Sequence, residues 1–403
     1  MKNLFKKDGF ALSKVLCVSY SPISRDPRVL RQIKWLQDSG IEVDVLGLGS
    51  KPDTLNGGYF EIRQRGFLVR VLIYLFATNE FRYRKLISEC VPSEVVTFCE
   101  ENNYDLIHLN DLEFIPWMKK VSRNQDEGTR STPIAIDLHE YFPGVKGGLL
   151  WKLITERFHK WLFTRFQEFK FDLVSTVSDE IAEVYSSENG ISVTEVIWNT
   201  PAYNKAKFEL HTSEVIELVY HGNSGKGRPL RTYIQAVRRT TSPINLNFMV
   251  RIGFLHKNYL KFYSQLLGVQ HRVMWHDLVG VSEIVGAVQK YDVELAWFPP
   301  ISRNMHLSLG NKFFEAVQGH LALVIGESPS MENLVEKYDL GFIARGWKLA
   351  NLVATLDSLN RKDVDKVRMS NLAISRILND ETSKGIFIQN RRKLMQGFPS
   401  NIL

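Results

Sequence analysis

The 403-residue chain has little of what marks extracellular, metal-binding or membrane-spanning proteins. Its three cysteines, Cys17, Cys90 and Cys99, lack metal-ligand spacing, and their odd number and sparse use are typical of a reducing cytoplasm. The start of the chain lacks the sustained apolar segment of a secretory signal. The longest apolar run, residues 67–77, is about half the length that spans a bilayer and contains Arg70. We therefore expect a cytoplasmic protein without a transmembrane helix.

The positive charge is concentrated in one half of the chain. Residues 1–200 contain 25 Lys/Arg and 27 Asp/Glu, whereas residues 201–403 contain 26 and 17, within a formal net charge of +7. A basic C-terminal half suits a polyanionic small ligand. Because zinc-finger spacing, an RNA-binding aromatic signature and a lysine-rich tail are all absent from the sequence, we expect no nucleic-acid partner.

Apolar strands alternate with amphipathic helices twice along the chain, which predicts two parallel, doubly wound α/β domains. The first series of strands is predicted at Lys14–Tyr20, Glu42–Leu46, Asp105–Leu109, Pro133–Leu138 and Asp172–Val177. The second is predicted at Glu214–His221, Ile244–Arg251, Arg272–Trp275, Val293–Phe298 and Leu321–Ile325. We expect domains at residues 1–203 and 204–385, facing each other across a cleft, with 386–403 as a helix returning to the first domain.

Residues 304–332 carry the most informative local pattern, NMHLSLGNKFFEAVQGHLALVIGESPSME. Gly310 opens a short helix on which Lys312 and Glu315 are spaced i and i+3, so they share a face. A helix N-terminus behind a glycine offers free N–H groups and a positive dipole end, which suit phosphate. A nearby lysine can pair with a diphosphate, and a carboxylate one turn on can accept from sugar hydroxyls. The pattern indicates a nucleotide-sugar site.

Several segments, in order over about 300 residues, resemble glycosyltransferase family 4, retaining enzymes of the GT-B fold. They are SRDPRVLRQIKWLQDSGIEVDVLGL (24–48), YDLIHLNDLEF (104–114), IAIDLHEYFPG (134–144), DLVSTVSDEIAEVY (172–185), EVIWNTP (195–201), VYHGNSGKGRPLRTYIQA (219–236) and YDVELAWFP (291–299), followed by the N…NKFFEA segment. The resemblance implies a Rossmann-like acceptor-binding domain, a second domain that binds the nucleotide sugar, and a reaction that needs no metal or other cofactor.

The resemblance also implies roles for individual residues. Lys312 would neutralise the donor diphosphate, Glu315 would bind the ribose hydroxyls, and His139 would contact the donor sugar near the reacting carbon. Arg228 would contact phosphate where the family usually has a lysine. The remaining donor-side residues would be Gly222, Asn223, Ser224, Gly310 and Asn311, and the acceptor side would include Ser24, Arg25 and Asp111.

Each of these residues also has a structural alternative. Lys312 and Glu315 could form only a surface ion pair, His139 could be a core histidine, and Arg228 could be a solvated residue at a helix start. Asp111 and Glu113 could simply place negative charge in the first turn of a helix.

Some positions depart from the family pattern. The first glutamate of the E-x7-E motif falls at Leu307, Asn223 stands where many members have arginine, Leu321 replaces a usual proline, and His276-Asp277 replaces a small residue plus glycine. A subgroup that acts on bacterial surface polysaccharides also lacks the first glutamate. The departures bear on the sugar contacts more than on the phosphate contacts.

We therefore expect a retaining glycosyltransferase that moves a sugar from a nucleotide diphosphate donor to a glycan or lipid-linked glycan in cell-surface polysaccharide biosynthesis. One alternative is a degenerate, inactive partner that keeps the nucleotide pocket and supports another transferase. Another is a nucleotide-sugar 2-epimerase, which would need carboxylates and a histidine placed for proton abstraction.

A membrane-facing surface is predicted at residues 146–170. This segment contains six Lys/Arg and two Glu, and one helix face could present Leu150, Leu153, Ile154, Phe158, Leu162 and Phe166. Such a pattern is typical of an interfacial helix docked on the inner membrane face, and residues 67–85 could add a second patch. The alternative is a pair of helices packed on the sheet with basic outer faces.

Overall fold

The computed structural model describes residues 13–101, 103–122, 132–225 and 227–397, and the chain divides into two compact units. The first unit contains the described residues up to Thr176, Ala182–Ile197 and those from Lys384 onward. The second contains Val177–Ile181 and Trp198–Ser383. Each unit is built on one parallel sheet, as the alternation of strands and helices predicted.

The sheet of the first unit has the strand order β3-β2-β1-β4-β5-β6-β7, with every neighbouring pair parallel. Its strands are β1 (Lys14–Pro22), β2 (Glu42–Leu48), β3 (Tyr59–Glu61), β4 (Leu106–Leu109), β5 (Ile134–Leu138), β6 (Leu173–Thr176) and β7 (Glu195–Val196). The order reverses between β1 and β4. This reversal is the switch point at which open α/β sheets bind ligands, beyond the carboxyl ends of the strands.

The helices of this part of the chain follow the strands in sequence. They are α1 (Pro27–Asp38), α2 (Phe67–Phe76), α3 (Asn79–Leu86), α4 (Ser93–Glu100), α5 (Ile115–Ser122), α6 (Leu149–Ile154), α7 (Glu156–Gln167) and α8 (Asp179–Asn189). Asp26 caps α1 by accepting from the Val29 amide at 3.2 Å. The apolar face of α1, with Ile33 and Leu36, packs into the core beneath β1 and β2.

The sheet of the second unit has the order β10-β9-β8-β11-β12-β13, again parallel throughout. Its strands are β8 (Ile216–Asn223), β9 (Ile244–Arg251), β10 (Val273–Trp275), β11 (Val293–Ala296), β12 (Ala322–Gly326) and β13 (Gly341–Ala344). The helices are α9 (Leu230–Arg239), α10 (Phe254–Leu266), α11 (Ile284–Val288), α12 (Arg303–Leu307), α13 (Asn311–Gln318), α14 (Pro329–Tyr338), α15 (Leu349–Ser358) and α16 (Arg361–Ile374). Strands β8, β11 and β12 are almost continuously buried, as expected of parallel strands covered by helices on both faces.

The last helix, α17 (Asp380–Met395), ends in the first unit. Phe387 and Leu394 lie in the hydrophobic core that α1 and β1 also form, and the Phe387 ring is 5.5 Å from that of Trp35. Arg391, which is fully buried, donates to the Glu195 carboxylate at 2.5 Å. The carboxyl end of α17 therefore belongs to the core of the first unit.

Candidate functional site

The candidate site lies at the switch point of the second unit, where the strand order reverses between β8 and β11. The end of β8 and the loop after it contribute residues 223–225 and 227–229, Phe298 follows β11, and α13 begins directly after Gly310. Residues that are far apart in the sequence meet here because carboxyl ends of parallel strands lie at one edge of the sheet.

Lys312 has a buried ammonium that is packed against aromatic rings. Among the described residues no atom accepts a hydrogen bond from its Nζ, which lies 3.8 Å from the centroid of the Tyr220 ring and 5.2 Å from that of Phe298. Burial lowers the pKa of Lys312 to about 7; the carboxylate of Glu294 opposes this shift and the positive charge of Arg228 adds to it. The alternative of a surface ion pair with Glu315 is therefore wrong. An unpartnered buried amine is a donor available to an anion.

Gly222 permits this position of the lysine. Its φ is +104°, in the region that favours glycine, and a Cβ at this position would lie 3.3 Å from Lys312 Nζ. Any side chain here would strain the backbone and crowd the ammonium.

The loop after β8 is held by the edge of the sheet and by aromatic contacts. The Ser224 hydroxyl donates to the Arg251 carbonyl at 2.8 Å, and the Tyr220 hydroxyl donates to the Asn223 carbonyl at 2.7 Å. The Arg228 guanidinium lies 4.5 Å from the centroid of the Phe298 ring, a cation–π contact. Arg228 is therefore packed in the site and is not simply a solvated residue before α9.

The N-terminus of α13 completes the cationic side of the site. Gly310 is its N-cap residue, exposed and with open space around the position of a Cβ, and Asn311 is the first helical residue. The first N–H groups of a helix have no partner within the helix and carry the positive end of its dipole. Lys312, Arg228 and this helix terminus are thus brought together at one point.

Glu315, one turn along α13, is held by a buried histidine. His221 lies between two carboxylates: its Nε2 is 2.9 Å from Glu315 Oε2, and its Nδ1 is 2.9 Å from Glu294 Oε2. His221 is 2% exposed and the Glu294 side chain is fully buried, whereas the Glu315 side chain is 13% exposed. Of the three groups, Glu315 is the most exposed to solvent.

The sequence analysis missed His221 and Glu294. A signal was present: Glu294 is the one charged residue of the otherwise apolar strand β11, and His221 ends the buried part of β8. A charge inside an apolar strand requires a partner, but the sequence alone does not identify it.

In the first unit, the predicted acceptor-side residues gather near the end of β1. Asp111 accepts hydrogen bonds from the Ser19 hydroxyl and the Tyr20 amide, each at 2.6 Å, and does not cap the turn that follows. Ser24 and Arg25 are exposed on a short turn directly after β1. Asp111 thus braces the carboxyl end of β1, and it also stands at the start of the short helix Leu112–Phe114, with Glu113 in the first turn.

His139 is exposed at the carboxyl end of β5, so the alternative of a core histidine is wrong. Asp137, two residues earlier in the same D-x-H-E segment, is fully buried by contrast. Its carboxylate accepts from Arg28 at 2.6 and 2.7 Å and from Gln32 at 2.6 Å. Burial alone would raise the pKa of Asp137, but the Arg28 guanidinium holds it well below its usual range.

Two of the departures from the family pattern have structural roles. Leu307 is 6% exposed and occupies a buried apolar position at the end of α12. His276 Nε2 lies 2.8 Å from Asn247 Oδ1, just beyond β10. Within the described parts of the chain, no group of three or more His, Cys, Asp and Glu residues could hold a metal ion.

Comparisons with known proteins identify the fold. A glycosyltransferase from Rickettsia africae aligns with 96% of this chain and 100% of its own, with a TM-score of 0.67 and 11% identity. A lipopolysaccharide outer core galactosyltransferase, WaaB, aligns with 94% and 99% at a TM-score of 0.65 and 14% identity. The Anabaena protein HepE, solved with UDP and glucose, aligns with 94% and 98% at 0.66 and 14%.

No protein-family model matches the chain, and no curated protein is similar to it in sequence. At identities of 11–14%, the structural matches establish the fold and not the activity. The chain therefore has the GT-B fold, as the resemblance implied.

Proposed function

We propose that this protein is a retaining glycosyltransferase that uses a nucleotide diphosphate sugar and acts in cell-surface polysaccharide biosynthesis. The observation that carries the proposal is the buried, unpartnered ammonium of Lys312, placed with Arg228 and the start of α13 at the switch point of a GT-B domain. Such a cluster of donors favours a diphosphate over a neutral ligand. The similar HepE was solved with UDP and glucose, which supports this donor class.

The donor is assigned to named groups. Lys312, Arg228 and the first amides of α13 bind the diphosphate, and Gly222 lets the ligand and the lysine approach the backbone closely. Asn223 and Ser224 shape the loop at the phosphates, and Gly310 and Asn311 begin α13. Glu315 accepts from the two ribose hydroxyls. His139, in the first unit, keeps its predicted role toward the donor sugar.

The chemical step requires stabilisation of charge on the leaving group. As the bond between the sugar and the diphosphate stretches, negative charge grows on the phosphate oxygen, and Lys312 and Arg228 stabilise it. The acceptor hydroxyl forms the new glycosidic bond on the same face of the sugar. Its proton passes to the departing phosphate oxygen, so the nucleoside diphosphate leaves protonated. The configuration of the sugar is retained because the new bond forms on the face from which the diphosphate departs.

We assign the acceptor to the carboxyl end of β1 in the first unit, where Ser24, Arg25 and Asp111 lie. A cavity of about 250 Å³ opens beside this strand end and is lined by Tyr20, Gln64, Phe67, Arg70, Val71, Tyr74 and Leu86. Its aromatic and apolar walls with one arginine suit an acceptor that combines apolar and anionic parts, such as a lipid-linked glycan.

The exposed apolar surface of the first unit lies mainly on α2, within the predicted second patch at residues 67–85, and on α6, but not on α7. Phe158, Leu162 and Phe166 of the predicted lipid-facing set are buried, and the segment is divided into α6 and α7. That part of the prediction is wrong, and for α7 the packed alternative holds. On α2, by contrast, Leu68 is 74% exposed and Phe76 is 81% exposed.

The cations around α2 complement an anionic membrane. Arg63 and Arg65 precede α2 and are exposed, whereas Arg82 is buried and joins α2 to α6 by donating to the carbonyls of Tyr74 and Ile154. Leu149 and Leu153 of α6 are also more than 70% exposed, and no helix within the described residues has the length and apolar content to cross a bilayer. We infer that α2 and α6 rest on the membrane surface that carries the lipid-linked acceptor.

Flotation with phosphatidylglycerol liposomes at low salt tests this surface. We expect the wild type to float and a Phe67→Ser, Phe76→Ser variant to lose roughly tenfold or more in affinity, because each buried aromatic ring contributes about 1.5–3 kcal/mol. Phe254→Ser is the matched control, since Phe254 is 76% exposed in the second unit. Equal flotation of all three proteins would contradict the assignment.

The donor assignment is tested by thermal shift against nucleoside diphosphates and their sugars. A ligand that binds the folded state raises the melting temperature by mass action. We expect a shift for one nucleotide in the wild type and in Lys362→Ala, an exposed lysine on α16, and none in Lys312→Ala or Glu315→Ala. A transfer assay with lipid-linked acceptors then follows, with the anomeric configuration of the product read by NMR.

The buried Leu307 is the observation that favours an inactive partner protein, because it cannot accept a hydrogen bond from the donor sugar. Nucleotide binding without transfer or donor hydrolysis would support that alternative. The histidine–carboxylate cluster does not support an epimerase, because His221 and Glu294 are buried and His221 has both ring nitrogens engaged.

A further inference from the structure

His221 is bonded in a way that determines its charge. A neutral imidazole has one N–H and can donate to one carboxylate only, yet both ring nitrogens of His221 face carboxylate oxygens at 2.9 Å. Burial lowers the pKa of His221, but the Glu294 carboxylate and the hydrogen bonds to Glu294 and Glu315 outweigh burial and raise the pKa to about 9. The imidazole is therefore a cation at neutral pH, with a proton on each nitrogen.

The groups that face this imidazolium come from two elements besides β8. Glu294 is on β11, and both Glu315 and Lys312 are on α13; the charge of Lys312 opposes protonation of His221. Glu294 is fully buried and cannot touch a ligand. Its effect on a ligand has to pass through His221 and Glu315.

The contact with His221 fixes Glu315 in one orientation. Glu315 Oε2 accepts from His221, whereas within the described residues Oε1 has no hydrogen-bond partner and stays available. Lys312 lies three residues earlier on the same helix face, at a spacing where a lysine and a glutamate pair readily. Without the imidazolium, the Glu315 carboxylate could swing to Lys312 and neutralise the ammonium intended for phosphate.

We propose that His221 and Glu294 are positioning residues of the nucleotide site: Glu294 keeps His221 charged, and His221 holds Glu315 toward the ribose and away from Lys312. The inference rests on the proposed function for the identity of the ligand. In this arrangement the two side chains on α13 bind different parts of the ligand: Glu315 binds the sugar hydroxyls and Lys312 binds the diphosphate.

The first test needs no ligand. In protein labelled with 15N histidine, long-range 15N–1H NMR at pH 7.5 should show His221 as an imidazolium in the wild type and as a neutral ring in Glu294→Gln. Asp292→Asn is the matched control, because Asp292 is also a buried carboxylate beside β11 but pairs with Arg361 and Arg368. A neutral His221 in the wild type would overturn the proposal.

The second test measures recognition of the ribose hydroxyls. Calorimetry compares UDP, GDP and ADP with their 2′-deoxy counterparts. In the wild type and Asp292→Asn the deoxy nucleotide should bind about tenfold more weakly, the loss of about one hydrogen bond to a charged group. In Glu294→Gln this ratio should fall toward one; if that variant does not fold, His221→Gln, whose amide serves a single carboxylate, replaces it.

The outcomes separate the two proposals. A wild type that binds none of the three nucleoside diphosphates refutes the nucleotide site and this role with it. A wild type that binds one of them, with the same ribose preference in the variant, refutes the positioning role alone. Loss of the preference together with loss of the imidazolium signal supports it.

Discussion

Two buried charged side chains, Asp137 in the first unit and Lys312 in the second, differ in whether hydrogen-bond partners surround them. In the first unit, Asp137 is paired with Arg28, and Asp111 accepts two hydrogen bonds at the end of β1. In the second unit, the buried Lys312 ammonium lies over the Tyr220 ring and has no hydrogen-bond partner among the residues that the structure describes. A buried charge that has its partners becomes strongly destabilising when one partner is removed, whereas a buried charge without a hydrogen-bond partner can be completed by a ligand.

Breaking the paired charge should have the largest effect. We expect Arg28→Met to lower the free energy of unfolding by about 3–5 kcal/mol, because Asp137 would remain buried and unpaired. Urea denaturation checks this, with Lys34→Met as control, since Lys34 pairs with Asp38 on the exposed face of α1 and should cost about 0.5 kcal/mol or less. A loss below about 1 kcal/mol would show that Asp137 finds other partners.

Removing the unpaired charge should affect binding and spare stability. In Lys312→Met, nucleoside diphosphate affinity should fall about 10- to 100-fold, the loss of a charge-assisted hydrogen bond, while the melting temperature stays the same or rises because a buried charge is gone. Calorimetry with the nucleotide identified by thermal shift checks this, beside Lys362→Met. Unchanged affinity would remove Lys312 from the site.

His221 and Lys312 should change the free energy of unfolding in opposite directions as the pH rises, and this effect should be smaller than those of the substitutions above. The folded-state pKa of His221, about 9, lies above its ordinary value, so its stabilisation is full below about pH 6.5 and is lost as the pH rises through 9. The folded-state pKa of Lys312, about 7, lies below its ordinary value, so protonated Lys312 destabilises the folded state. This destabilisation is relieved as the pH rises from about 7 to 10.5. In the wild type the two trends oppose each other between pH 7 and 9.

In Lys312→Met the contribution of Lys312 is absent, so the loss of stability with rising pH that His221 causes should become measurable. Relative to the wild type, the variant should lose about 2 kcal/mol of unfolding free energy between pH 7 and pH 9, since each pH unit corresponds to about 1.4 kcal/mol per proton. Urea denaturation at the two pH values measures the difference. If the unfolding free energies of the two proteins changed equally between pH 7 and pH 9, the opposing pKa shifts of His221 and Lys312 would be absent.

Features that depend on local periodicity were predicted from the sequence. The helix with Lys312 and Glu315 on one face, opened by Gly310 and closed by Gly319, is present as α13. This helix could be predicted because the spacing of three residues and the glycine signals lie within one short segment. The loop at Gly222 was likewise placed at the end of a strand, and its positive φ explains the glycine.

The interpretation of residues 146–170 failed for α7, where Phe158, Leu162 and Phe166 are buried, and the reason is physical. An apolar stripe on a basic helix buries itself equally well against a sheet or in a membrane interface, and the periodicity is the same in both cases. The burial of Phe158 and Leu162 and the exposure of Phe76 were decided by which helices cover the sheet. Amphipathic pattern alone does not distinguish these outcomes.

The sequence by itself determined the two doubly wound domains and the helix that carries Lys312 and Glu315 directly after Gly310, because these follow from hydrophobic period and glycine position within short segments. Only the tertiary structure decided the partners of Glu315 and Asp137. His221 and Glu294 are 73 residues apart, and Arg28 and Asp137 are 109 apart. Their contacts depend on the order of strands in the sheets, and that order arises from the packing of the whole chain and not from any local pattern.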